Sequence, residues 1–207
     1  MHIRFTILGL LFILLSAFAV PLFAEFDGRL EFSGGVHYIK ETNLILDDTE
    51  ITTNDFSGFA GVSAVFFFNR IGFGEYCNIF FPVTYEVTEK PCYTLNDYKY
   101  AMGIDNLLGF SVKIVDGAKF KMPFTIGLHI LSFTSVLKDE SESLVRTSVG
   151  IGGNLSFEFY PVDKFFLFLR ASGAYDFYTQ IKKTSDSGIG KTRSLFGAPS
   201  IGFGFKF

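Results

Sequence analysis

The sequence predicts an all-β protein: an eight-stranded, antiparallel, up-and-down transmembrane β-barrel preceded by a signal peptide. Three observations carry that reading. Only one run is apolar enough for a membrane-crossing helix, and it lies at the start of the chain. The rest alternates with period two over eight segments, and one phase of that alternation all but excludes charge. The connectors between the segments are short and long by turns.

The apolar run spans residues 5–24, FTILGLLFILLSAFAVPLFA, behind His2 and Arg4. A basic start, an apolar stretch and small residues near its end describe a secretory signal, which makes residues 1–24 a signal peptide and 25–207 one barrel domain. Ala17-Phe18-Ala19 and Ala24 are alternative cleavage sites; the second fits a strand pattern that begins at Phe26. No Cys follows the run, which argues against a lipid anchor, and an uncleaved anchor helix is the competing reading.

Each segment then shows an apolar phase. The first has Phe26, Leu30, Phe32, Val36 and Tyr38, against Asp27, Arg29, Glu31, Ser33 and His37. The second has Phe56, Ala60, Val62, Ala64, Phe66 and Phe68; the third has Phe73, Cys77, Ile79, Phe81, Val83, Tyr85 and Val87, interrupted by Glu75. Tyr98, Tyr100, Met102, Ile104, Asn106, Leu108, Phe110, Val112 and Ile114 form the fourth, and Phe120 through Ile130 in steps of two form the fifth. The sixth reads Val145, Val149, Ile151, Leu155, Phe157 and Phe159, the seventh Phe165, Leu167, Leu169, Ala171, Tyr175 and Phe177. Leu195, Pro199, Ile201, Phe203, Phe205 and Phe207 complete the eighth. Glu75 is the one charge among these positions, so the face suits lipid.

Asn69–Gly72, Val115–Lys119 and Pro161–Lys164 read as tight turns; Glu41–Asp55, Thr88–Asp97, Lys138–Ser143 and Ile181–Thr192 read as long loops. Both chain ends then share the turn side. An unpaired sheet edge costs several kcal/mol per group in lipid, so the eighth strand must pair with the first. Pro82, Pro123 and Pro199 each remove a ladder donor and are expected at bulges or local irregularities.

The opposite phase should point inward. It holds Arg29, Lys99, Lys113, Lys121, Arg146, Arg170 and Lys206 against Asp27, Glu31, Glu86, Asp105, Glu158 and Asp176, a nearly neutral set. An eight-stranded lumen is only wide enough for side chains or one small ligand. A salt-bridged interior is therefore expected, with Glu31, Asp105, His129 and Arg170 near mid-depth. Phe59, Leu131, Phe133 and Phe196, inward and nearer the loops, make either packing beneath the loops or an apolar funnel. Tyr38, Tyr85, Tyr98, Tyr100 and Tyr175 toward the loops, and Phe73, Phe120, Phe159, Phe165, Phe205 and Phe207 toward the turns, should form the interfacial girdles.

The end of the chain, Ile201-Gly202-Phe203-Gly204-Phe205-Lys206-Phe207, resembles the last strand of bacterial outer-membrane barrels, with Phe203, Phe205 and the terminal Phe207 in alternation. Size and loop layout are similar to the small group that includes the OmpW, OmpX and OmpA-barrel types. The resemblance implies outer-membrane lipid and the barrel assembly machinery as partners. It implies a non-enzymatic surface protein whose loops meet the environment and an extracellular ligand, as adhesin or antigen. The alternative is a narrow OmpW-like channel for small hydrophobic solutes. Loop residues Asp47, Asp48, Lys90, Lys138, Asp139, Lys182 and Lys183 are available for contacts.

Other chemistry finds little support. Charge is balanced at 18 basic to 21 acidic residues, so no nucleic-acid footprint is present. A lipid A-modifying enzyme needs an activated Ser, and no Ser stands in a known pattern beside His37, placed near the outer rim, or His129. Gly188-Ile189-Gly190-Lys191-Thr192 imitates a phosphate loop, but Ser185 replaces its first Gly and no helix follows. No metal spacing or cofactor motif occurs. Cys77 and Cys92 are too far apart along the barrel to pair unless the loop folds inward.

Overall fold

The structure, a computed structural model, describes residues 26–45, 49–87, 93–94, 98–138, 143–183, 187–188 and 193–207. The signal segment, the loop tips and Cys92 lie outside the described residues, as do the side chains of Tyr85, Glu86 and Tyr98. Eight long strands carry the fold: β1 (Phe26–Ile45), β2 (Thr49–Phe68), β3 (Ile71–Val87), β4 (Tyr98–Asp116), β5 (Phe120–Leu137), β6 (Ser143–Val162), β7 (Phe165–Lys183) and β8 (Arg193–Lys206). Two-residue pieces at Tyr93–Thr94 and Ser187–Gly188 pair with β3 and β7.

Each strand pairs antiparallel with its neighbours in sequence, and β8 closes on β1. Following paired residues around the wall from Leu30, through Ala64, Glu75, Leu108, Leu128, Ile151, Tyr175 and Leu195, returns to β1 at Lys40. That ten-residue stagger tilts the strands by about 40° and lifts each residue about 2.5 Å along the barrel axis. The longest strands have 20 residues and rise roughly 50 Å, about twice the apolar band of an outer-membrane barrel.

The turns are tight for local reasons. Asn69 takes φ 58°, a conformation Asn tolerates, between β2 and β3. Gly117 N–H donates to Phe120 C=O at 2.9 Å, closing the β4–β5 turn. Gly28 and Phe207 exchange backbone hydrogen bonds, so both described chain ends lie on the turn side.

Alternation holds along the described wall except at the bulges. Ile151 and Leu169 are 59 % exposed and Phe110 is 72 % exposed, whereas Arg29 is 0 % exposed. This is the reverse of a soluble domain. Tyr38, Tyr100 and Tyr175 are exposed toward the loops, while Phe120, Phe159, Phe205 and Phe207 are exposed toward the turns.

Bulges occur where two of the prolines suggested. Between β2 and β3 the register shifts beside Ser57 and Pro82, and between β4 and β5 it shifts beside Lys113 and Pro123. At Pro199 the expected irregularity takes a form that needs one correction: it is not a bulge, since the register on both sides of β8 is unbroken. The missing donor is absorbed by a short gap in the β1–β8 pairing opposite Val36 and His37. A second correction concerns Lys99, which is exposed, because the β4–β5 register shifts between Tyr98 and Tyr100 and ends the regular alternation there. The expected loop at Glu41–Asp55 is mostly strand: β1 and β2 stay paired from Lys40–Asn54 out to Ile45–Thr49.

Inward glycines make room for inward rings. A Cβ on Gly103 would stand 2.0 Å from Phe80, one on Gly202 2.5 Å from Phe168, and one on Gly204 2.3 Å from Phe166. These rings are what fill the narrow lumen.

Candidate functional site: the lumen

The lumen is built in levels. Nearest the turns, Arg29 forms a buried hub. Its Nη1 donates to both oxygens of Glu158 at 2.7 and 2.6 Å, and Nε and Nη2 donate to Asp27 at 3.1 and 2.9 Å. Lys113 Nζ donates to the same Asp27 at 2.7 Å, and the Tyr160 hydroxyl donates to Glu158 at 2.9 Å. The guanidinium carbon lies 4.6 Å from the centre of the Phe67 ring and 5.8 Å from that of Phe166. Lys121, half-buried, pairs with Asp116 at 3.2 Å. These ion pairs and rings fill the turn end of the lumen.

One level up, Arg170 pairs with Glu31 and donates to Ser156 at 2.7 Å and Ser63 at 3.3 Å. It lies between the rings of Tyr76 and Phe168, at 4.6 and 4.5 Å. Tyr76 in turn hydrogen-bonds Thr125, which hydrogen-bonds Ser111.

Above Arg170 the inward residues become small (Ser33, Ser172, Ser200, Gly152), and a polar chamber opens, also lined by Asn78, Asp105, His129 and Asn154. The space open to the centres of water molecules is about 20 Å³, room for water and little else. Asn78 donates to Asp105 at 3.1 Å, and His37 Nε2 stands 3.4 Å from the other Asp105 oxygen. His129 Nδ1 and Asp176 share a 2.7 Å hydrogen bond, and Ser194 donates to Asp176 at 3.0 Å.

An aromatic plug forms the chamber's ceiling. Phe59, Leu131, Phe133 and Phe196 pack with Phe80, Ile39, Ala101, Ala174 and Ala198 in one buried cluster. His37 is part of this plug rather than of the rim: it stacks on Phe80 at 4.3 Å and meets Phe196 edge-on at 4.4 Å. The four expected funnel residues are therefore buried together in this cluster.

Above the plug, Arg146 donates to Glu41 and lies 5.0 Å from the Phe133 ring centre, Ser57 donates to Asp55 at 2.8 Å, and Ser148 bonds Thr179. Glu41 and Asp55 are members of the lumen that the sequence reading placed in a loop; only the continued pairing of β1 with β2 reveals their phase. With them, charge is sorted by level. The plug and upper lumen hold Glu41, Asp55, Asp105 and Asp176 against Arg146 and two histidines, whereas Arg29, Lys113, Lys121 and Arg170 outnumber Asp27, Glu31 and Glu158 below.

Of the described lumen residues, Ser194, His129 and Asp176 are types a hydrolase uses, and their order does not activate the serine. Ser194 and His129 both bond to Asp176, and Ser194 does not bond to the imidazole. Among the described residues no cluster of three or more metal-ligating side chains occurs.

A closed eight-stranded wall, apolar outside and filled with paired polar groups and rings inside, is the fold of the small outer-membrane β-barrels. No protein-family model and no curated protein matches the chain. Among solved structures the chain is similar to Neisserial surface protein A, with a TM-score of 0.55 at 12 % identity over 88 % of this chain and 97 % of that one. The attachment invasion locus protein Ail of Yersinia pestis follows at a TM-score of 0.45, 12 % identity, and 87 % and 99 % coverage. The outer membrane protease OmpT of Escherichia coli has a TM-score of 0.47 at 7 % identity, with 92 % and 99 % coverage.

Proposed function

We propose that this chain is a non-enzymatic protein of the bacterial outer membrane whose task lies at its loop end rather than in its lumen. The observation that carries this reading is the double closure of the interior, by the Arg29 hub below and by the Phe80–Phe133–Phe196 plug above. Strands of up to 20 residues lift the loop end well clear of the hydrocarbon. The raised part carries a polar interior of its own, Glu41, Asp55, Ser57, Ser148 and Thr179, as a rigid base for loops needs. An extracellular ligand bound through those loops, in the manner of an adhesin or antigen, is the finer form of the proposal. Neisserial surface protein A, which shares the fold, carries the surface location in its name. Export by a cleaved signal at residues 1–24 and insertion through Phe203, Phe205 and Phe207 by the barrel assembly machinery complete it.

Planar-bilayer recording tests the closed lumen. The refolded protein is expected to give no resolved conductance steps, and liposomes containing it should pass a small apolar solute no faster than empty liposomes. Phe133→Asp, which places a carboxylate in the plug, is the control for a loosened ceiling. Steady channel openings or solute flux through the unaltered protein would return the narrow-channel reading to first place.

A further inference from the structure

On the outer wall, charge returns at one level and with one sign. Between the two girdles Glu75 is the single charged residue in the lipid-facing phase of the described strands. Just above the loop-side tyrosines, Lys40 of β1 and Arg193 of β8 are exposed in that same phase, Lys40 two residues beyond Tyr38 and Arg193 two before Leu195. They are diagonal neighbours across the β1–β8 pairing, where Lys40 faces Leu195 and Arg193 faces Thr42, and their backbones lie about 7–8 Å apart. On its other side Lys40 faces Asn54, which accepts a hydrogen bond from the Tyr38 hydroxyl at 3.1 Å. Among the described residues neither cation enters an ion pair.

Height decides what the two cations face. At about 2.5 Å per residue and about 3 Å per strand step, they stand at nearly one level, about 5 Å above Tyr38 and Leu195. Tyr38 and Tyr175 mark the loop-side edge of the apolar band, and the headgroup layer beyond that edge is roughly 5–7 Å deep. Lys99 and Lys138, the other exposed cations at the described loop end, stand higher. Three strand steps from β1 to β4 already lift Tyr100 about 9 Å above Tyr38. Those two face water; Lys40 and Arg193 face sideways, into the headgroups.

We infer that Lys40 and Arg193 form a site on the outer wall for the phosphate of an anionic lipid in the surrounding leaflet. A phosphate set between two side chains at this spacing meets both, the guanidinium through parallel N–H donors and the ammonium as a point charge. Cations serving a soluble anion would point up from the loops, whereas these point along the membrane plane. The wall beneath them suits the rest of a lipid. Gly197 faces Gly173 across β8 and β7, and a Cβ on Gly197 would meet nothing within 4 Å, so an acyl chain can lie against the backbone there. The site goes beyond the loop-end role proposed above, since it needs neither a loop nor an extracellular ligand.

The test uses the full chain refolded in phosphatidylcholine vesicles, with Leu195→Trp as a reporter beside both cations. Quenching of the indole by brominated phosphatidate is compared with quenching by brominated phosphatidylcholine at equal mole fraction, which reads the relative occupancy of the adjoining lipid position. A preference for phosphatidate of roughly thirtyfold is expected, about fivefold for each cation. The Lys40→Gln, Arg193→Gln double variant should lose it. Ile130→Trp, an outward reporter on β5 at the far side of the barrel, should show none. Free inorganic phosphate should leave the quenching unchanged, and a heat-shifted gel band shows that each variant is folded. No preference at Leu195→Trp, an equal preference at Ile130→Trp, an undiminished preference in the folded double variant, or its loss to free phosphate overturns the inference.

Discussion

Replacing Arg29 by Met is expected to lower the barrel's stability by about 3–5 kcal/mol, the cost of removing one member of a buried ionic network. The arginine contributes four hydrogen bonds to two carboxylates that have no exposure of their own to fall back on. Without it Glu158 keeps only the Tyr160 hydroxyl, and Asp27 keeps its lysines, of which Lys113 is the closest. Arg29→Lys is not a mild change either, since a point charge cannot reach both carboxylates with a planar fork. Urea unfolding in lipid vesicles, followed by circular dichroism and gel mobility, measures the effect. An unchanged midpoint would mean that the turn-end network is ornament on a barrel held by its wall alone.

The second large effect is expected on the opposite surface. Leu169→Arg should destabilise the folded barrel by about 2–4 kcal/mol, because the side chain stands near mid-depth of the apolar band, between Phe165 toward the turns and Tyr175 toward the loops. Val162→Arg, at the turn end where β6 stops, should cost no more than about 1 kcal/mol. Both parent side chains are about equally exposed, 59 % and 61 %. In a water-soluble protein both changes would fall within about 0.5 kcal/mol of neutral. A depth-dependent penalty is the signature of a lipid solvent, and equal, small effects would remove it.

Much of this architecture is legible in the sequence because a period of two is a one-dimensional record of which way each side chain points. Leu30, Ile126, Ile151 and Leu167 are identified as outward, and Arg29, Asp105, Glu158 and Arg170 as inward, from parity alone. Parity fails where a bulge inserts a residue. Lys99 is misplaced for that reason; the shift beside Phe177 carries no proline to announce it, and the one after Phe159 falls at Pro161, which reads from sequence as the start of a turn. Strand ends are also blurred. The Thr-rich continuation of β1 and β2 is as polar as a loop, so Glu41 and Asp55 were hidden in a connector.

Partnership in the lumen is a different matter. Which cation meets which carboxylate depends on height, and height depends on the stagger of the closed barrel, a property no single strand records. Arg29 and Glu158 are 129 residues apart, Arg170 and Glu31 139 apart. The nearly neutral inward set also conceals that acidic groups collect above and basic groups below. Glu75, out of place in its apolar phase, is visible in the sequence at once.

The chain contains no Trp, which makes a single introduced indole an unambiguous reporter of the central claim, that alternate side chains face lipid and lumen. Leu167→Trp and Phe168→Trp place that indole at adjacent positions of β7, one outward and one inward. In vesicles containing brominated phospholipid, fluorescence of the first is expected to be strongly quenched and that of the second to be nearly unaffected. Equal quenching of both, or quenching of the second alone, would contradict the account.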